Sequence, residues 1–232
     1  MRPQSALFYI DELNETTEEL CAKIVENLDA NGESTNINGT LQQFALEALG
    51  IMFIGTKLGC LKDNPESLKF IGLVDQLVQE ILLFIMLPVW MLKVSGIYRQ
   101  YVNNLAEIFN FCNENIEKAL AKHDKDGSLE GTVLLKMIDK CGRDSQLPTV
   151  MAVDALTAGI DTTANTVNLL LYHLATNPDK QESLYQEIVS VAGKTGNMTT
   201  SNLSQMKYLK VHDCYTAHIQ SRITSYGSMT TN

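Results

Sequence analysis

Apolar residues recur three and four positions apart along most of the chain, the period of amphipathic helices. In residues 15–30, ETTEELCAKIVENLDA, Leu20, Ile24 and Leu28 form one stripe behind an acidic start that suits a helix N-terminus. NGESTNINGT (31–40) breaks the pattern. LQQFALEALGIMFIGTKLGCL (41–61) is apolar on most sides and predicts a buried second helix. ESLKFIGLVDQLVQEILLFIM (66–86) predicts a third, ended by Pro88. Residues 96–123 repeat apolar side chains at Val102, Leu105, Ile108, Phe109, Cys112, Ile116 and Leu120, a long amphipathic helix. KDGSLEG (125–131) interrupts, and 132–141 predicts a short helix. A further helix over 148–177 would run about 45 Å. Residues 176–193 restart with Asn177 as N-cap and Pro178 at the first helical position. Residues 199–209 predict a short helix or turn. Little strand alternation and no internal repeat occur, so the expected fold class is all-α. From Val211 the period stops, and VHDCYTAHIQSRITSYGSMTTN is expected to be a poorly ordered tail.

The longest apolar helix carries an interruption. In AVDALTAGIDTTANTV (152–167), Gly159 costs roughly 1 kcal/mol relative to Ala, and the β-branched Thr162 and Thr163 cost less. Their hydroxyls can bond the carbonyls of Ala158 and Gly159, which loosens the helix. The result is a groove of low bulk at 158–159, with an acid beside it and a hydroxyl facing it. Such a groove suits a small diatomic ligand and proton delivery to it. The competing reading is structural. Asp154, Asp161, Asn165, Asn168 and Tyr172 share one stripe that would serve as a solvated face, and Gly159 would admit a close helix neighbour.

AGIDTT (158–163) resembles the oxygen-activation motif of the cytochrome P-450 family, small–Gly–x–acid–Thr–Thr on the long central helix. NPDKQESLYQEI (177–188) resembles the helix that follows, and MKYLK (206–210) the approach to the next. LEALGIMFIGTKLGCL (46–61) and LPVWMLKVSGIYRQYV (87–102) are similar to the mitochondrial branch. The resemblance runs in order from about residue 6 to Lys210. It implies haem as cofactor and insertion of one oxygen atom from dioxygen into an apolar small molecule. By position, Thr162 matches the threonine that hydrogen-bonds dioxygen and supports its protonation, and Asp161 the acid that relays protons. Ala158 and Gly159 match the small residues facing the haem, with Thr163 beside them and Ala155 as a further lining position. The 81–97 region matches a substrate-access and peripheral membrane-contact segment. The branch implies a mitochondrial location, on the matrix side of the inner membrane, and an iron–sulfur electron donor.

The sequence also departs from the family. Its axial ligand is a cysteine thiolate in a Phe-x-x-Gly-x-Arg-x-Cys-x-Gly type loop, and no such loop is present. Cys214, in HDCYT, lacks the flanking pattern. The Glu-x-x-Arg motif is absent, as are the Trp/Arg-bearing helix that holds haem propionates and the early strands. The expectation is a truncated P-450 helical core over residues 1–210, lacking most of the small β-sheets, followed by a non-family tail at 211–232. The abrupt change at Val211 resembles a frame shift, a retained intron or an alternative exon. The basic surface that docks the electron donor would lie beyond it. Catalysis by this polypeptide alone is not expected. The alternative is a non-catalytic helical fragment or interaction protein that binds no haem.

Composition narrows the partners. Of 232 residues, 45% are apolar and 19% charged, which marks a globular chain. The net charge of −9 argues against a nucleic-acid surface and a polybasic membrane contact. Five widely spaced cysteines, with no C-x-x-C, read as mostly buried thiols in a reduced compartment. The four N-x-S/T sequences mean little without a secretion signal, and none is visible. ILLFIMLPVWML (81–92) is too short to span a bilayer. KHDKDGSLEGTV (122–133) cannot be a calcium loop, since Lys122 and Val133 fall at ligand positions. His212, Cys214 and His218 match no standard zinc spacing.

Overall fold

Helix starts are set by side chains that accept the first unpaired backbone N–H groups. Asn36, Asn64, Thr132 and Thr199 do this for four of the helices. A computed structural model describes residues 9–127, 129, 132–143, 145–193 and 198–209. Its helices are α1 (Ile10–Glu26), α2 (Ile37–Leu49), α3 (Pro65–Met86), α4 (Val89–Val94), α5 (Ile97–Asp126), α6 (Val133–Cys141), α7 (Leu147–Ala175), α8 (Pro178–Ala192) and α9 (Thr200–Gln205). Among the described residues the only β pairing is an isolated bridge between Leu28 and Ser34, so the all-α expectation holds. None of these helices is long and apolar enough to cross a membrane. The tail at 211–232 lies outside the described residues.

α7 runs through the middle of the molecule. Leu156 and Ile160 are fully buried in one core with Leu46 of α2, Phe70 and Val74 of α3, and Ile108 and Cys112 of α5. Each such aliphatic side chain contributes about 1.5–3 kcal/mol by leaving water. Phe70 and Phe111 stack at 4.5 Å between ring centroids. One helical turn or so later, Ala164 joins a second cluster with Leu20, Leu41 and Leu61. Two long-range ties close the molecule. Asn14 donates to the Met198 carbonyl at 2.9 Å and accepts its N–H at 3.3 Å. The Glu187 carboxylate accepts the N–H groups of Tyr208 and Leu209 at 2.8 and 3.0 Å.

Three elements differ from their sequence expectation. The first helix ends at Glu26 rather than at residue 30, because the Asp29 carboxylate accepts the Asn31 and Glu33 N–H groups and forms a turn. The second helix begins at Ile37, inside the supposed breaker, since the Asn36 side chain caps it. It then leaves the α form at Leu49. Gly50–Ile54 form a single π turn, and Gly55 at φ +79° reverses the chain. The buried Glu47 carboxylate accepts the N–H groups of Gly59 and Cys60 at 3.1 and 2.6 Å, which fixes the returning loop. Asn177 also acts differently from expectation. It precedes α8, but its amide donates to the His173 carbonyl at 2.8 Å and so closes the end of α7.

Gly55 and Gly127 separate strain from crowding. Both hold positive φ, but a Cβ on Gly55 would lie 2.6 Å from the buried Leu129, whereas one on Gly127 would meet nothing within 4 Å. Gly127→Ala should cost about 1 kcal/mol of backbone strain. Gly55→Ala should cost about 1–3 kcal/mol more. Urea unfolding midpoints of the two variants at matched m-value check the difference.

Candidate functional site

Successive residues on an α-helix turn by about 100°, which sorts the AGIDTT motif onto different sides of α7. Ala152, Val153, Leu156, Ile160 and Ala164 face the core. Met151, Asp154, Ala158, Thr162, Asn165 and Thr166 are exposed on the opposite face, with Ala155 half-buried at its flank. Thr162 therefore stands over an open strip whose neighbours are two alanines. Its hydroxyl donates to the Ala158 carbonyl at 2.8 Å, with a longer contact to the Gly159 carbonyl at 3.3 Å. Thr157 and Thr166 bond backwards in the same way, to Val153 and Thr162, so the helix carries several doubly used carbonyls around the motif.

The other motif residues turn towards their neighbours. A Cβ on Gly159 would lie 2.6 Å from Leu49 Cδ1, so the bare backbone there admits α2. Thr163 is half-buried between this contact and the core. Asp161 is half-buried, and the Gln42 side-chain nitrogen donates to its Oδ1 at 2.9 Å. The same nitrogen donates to Asp75 Oδ1 at 3.2 Å. Burial pushes the Asp75 carboxyl above its usual range, the Asp161 charge adds to the rise, and the Gln42 hydrogen bond opposes it. The structure thus brings Ala155, Ala158 and Thr162 together on the open face. It places Gly159 and Asp161 at the two edges of the α2 contact.

Gln42 and Asp75 were not among the sequence candidates. Asp75 interrupts the apolar GLVDQLV run of the third helix, which is a weak flag. Nothing in the spacing pairs Gln42 with a residue 119 positions away.

The described cysteines are placed as small hydrophobes or surface residues. Cys60 and Cys112 are fully buried. Burial pushes the Cys112 thiol up to about 12. Burial, with the Glu47 carboxylate next, pushes Cys60 still higher. Cys21 and Cys141 are exposed on α1 and at the end of α6. Among the described residues no group of three His, Cys, Asp or Glu side chains converges as a metal site. His123 Nδ1 accepts the Leu129 N–H at 3.1 Å, a packing role. The end of α3 and α4 carries a bare apolar patch, with Ile85, Met86 and Trp90 exposed by 77, 80 and 68%.

The long central helix α7 thus carries one open strip of small residues and a threonine, and is packed by helices on its other sides. The family model for cytochrome P450 matches residues 1–211, and the chain belongs to that family. It is 29% identical over 227 residues to "Probable cytochrome P450 49a1" of Drosophila melanogaster, covering 90% of this chain and 38% of that protein. It is 29% identical over 203 residues to mitochondrial sterol 26-hydroxylase of Rattus norvegicus, covering 82% and 38%. It is 27% identical over 225 residues to "Probable cytochrome P450 12a5, mitochondrial" of Drosophila melanogaster, covering 90% and 41%. The chain therefore spans about two-fifths of the length of these relatives.

Haem is the cofactor this family implies. The open face of α7 suits its oxygen side, because Ala155 and Ala158 leave room and Thr162 brings a hydroxyl. Two of the four described cysteines are unsuited to its thiolate bond. Cys60 and Cys112 are protonated in the core, and a thiol must be a thiolate to ligate.

Asp75 gives a pH-dependent check. Its folded pKa lies above the unfolded value, so the folded state holds its proton more tightly and stability falls as pH rises through that window. Asp75→Asn should raise the melting temperature at pH 7 by about 1–3 °C, the scale of a sub-kcal/mol change at this size. The gain should vanish below about pH 4, where the wild-type carboxyl is already protonated. Calorimetry at both pH values checks this.

Proposed function

We propose that α7 presents the oxygen-handling side of a haem monooxygenase site, in the reaction class that inserts one oxygen atom from dioxygen into an apolar substrate. One observation carries this reading: Thr162 and Ala158 share the open strip of α7, while the adjacent Asp161 is tethered inward by Gln42. Haem, when bound, supplies dioxygen binding and O–O cleavage. The protein's own part is positional. Thr162 offers a hydroxyl that can exchange its Ala158 carbonyl bond for one to a ligand over the strip. Asp161 holds or passes a proton one residue away. Ala155, Ala158, Gly159 and Thr163 keep bulk away from the ligand.

Two matched relatives are named mitochondrial, one of them a sterol hydroxylase, which supports an apolar substrate and a mitochondrial location; the matrix side of the inner membrane is the placement proposed within it. An iron–sulfur protein would be the electron donor in that setting. The apolar patch at Ile85, Met86 and Trp90 supports peripheral membrane contact and substrate entry at 81–97.

The second reading concerns the 232-residue chain by itself, and the buried, protonated thiols favour it. On this reading it is a helical body, residues 1–210 with a tail at 211–232, that forms no haem–thiolate and does not turn over alone. Purified chain mixed with haem, reduced and exposed to carbon monoxide should give no thiolate-type Soret band. A clear band would overturn the second reading.

The oxygen-handling role is tested in a loaded relative. Residues 147–175 grafted in place of the matching helix of rat sterol 26-hydroxylase should keep the haem spectrum. Thr162→Ala in that chimera should then lower product formation by about 100-fold, the scale of a lost proton-transfer group. Equal product from both chimeras would remove the role assigned to Thr162.

A further inference from the structure

Gln42 of α2, Asp75 of α3 and Asp161 of α7 meet where three helices converge. One nitrogen holds both acids, at 3.2 Å from Asp75 Oδ1 and 2.9 Å from Asp161 Oδ1. A primary amide carries two N–H bonds, so it can serve two acceptors at once. Like charges this close disfavour each other, and a cation would ordinarily separate them. Among the described residues neither acid has an ion pair with a lysine or arginine. The neighbouring charges are committed elsewhere. Glu47 on α2 accepts the Gly59 and Cys60 N–H groups. Lys69 on α3 pairs with Glu107 of α5 at 2.6 Å, and Glu80 on α3 accepts from Asn104 of α5 at 2.8 Å. On α7, Asp154 is exposed on the far face and His173 lies more than three turns away.

We propose that Gln42 is a positioning residue for Asp161, and that Asp75 controls how fully its amide is given to Asp161. With both acids ionised, the amide is divided between them and the two charges repel. When Asp75 takes a proton from solvent, the repulsion ends and the amide passes to Asp161. The motif acid is thereby held in one orientation by a residue 119 positions earlier in the chain, and its setting follows the protonation of a third helix. The importance of this for turnover rests on the proposed role of Asp161; the three-residue coupling does not.

The test uses the full chain, labelled with 15N in the Gln42 side chain and 13C in the aspartate carboxyls, and titrated by NMR. The Gln42 amide signals should move with an inflection at the Asp75 midpoint. Asp75→Asn should abolish that inflection, and Asp161→Asn should lower the Asp75 midpoint by removing its repelling neighbour. Gln42→Leu should raise the Asp75 midpoint, because the opposing hydrogen bond is lost. Circular dichroism shows that each variant is folded. Gln42 signals that stay flat through the Asp75 titration, or an Asp75 midpoint unmoved in Asp161→Asn, would overturn the proposal. A filler role for Gln42 leaves its own signals flat and the Asp75 midpoint unmoved in Gln42→Leu. Because no haem is needed, a positive result here alongside full activity of the Thr162→Ala chimera would leave the coupling standing and remove only the oxygen-handling role.

Discussion

The close seating of α2 against α7 is the contact on which the rest depends. It is made possible at Gly159, where the absence of a Cβ lets Leu49 approach the helix backbone. It continues through Leu46 against Leu156 and Ile160, and ends at Leu41 and Ala164. With α2 this close, Asp161 is half-buried and takes the Gln42 amide. The opposite face of α7 is left bare. The glycine that looks like a weakness in an isolated helix is therefore the residue that sets the distance between two buried ones.

Helices were the readable part of the fold. The 3.6-residue period located α3, α5, α6 and α7 to within a few residues, because each carries an apolar stripe, buried over at least part of its length. Boundaries set by single polar side chains were not readable. Asn36 starts α2 inside a Gly/Asn-rich stretch, and Asp29 stops α1 early. The π turn at 50–54 was hidden too, and the loop after it is held by the buried Glu47 carboxylate twelve residues before Gly59. At the site, AGIDTT marked the helix and the small residues. Its division into an outward threonine and an inward acid follows from helix geometry. The identity of the acid's partners depends on tertiary packing, which no local pattern encodes.

Thr162 and Asp161 are sequence neighbours with opposite surroundings. One sits on an exposed strip with its hydroxyl bonded to its own helix, and the other is held by a neighbouring helix. The cysteines are a useful contrast. Burial holds the Cys60 and Cys112 thiols in their neutral form, where they pack like small apolar side chains.

The reciprocal bonds between Asn14 and Met198 join positions 184 residues apart. During synthesis, α1 leaves the ribosome long before its partner segment exists. At the usual pace of about 5–20 residues per second, that interval lasts on the order of ten seconds or more. Through that time water serves the Asn14 amide, while the apolar Leu20 on the same helix waits for Ala164 to complete its cluster.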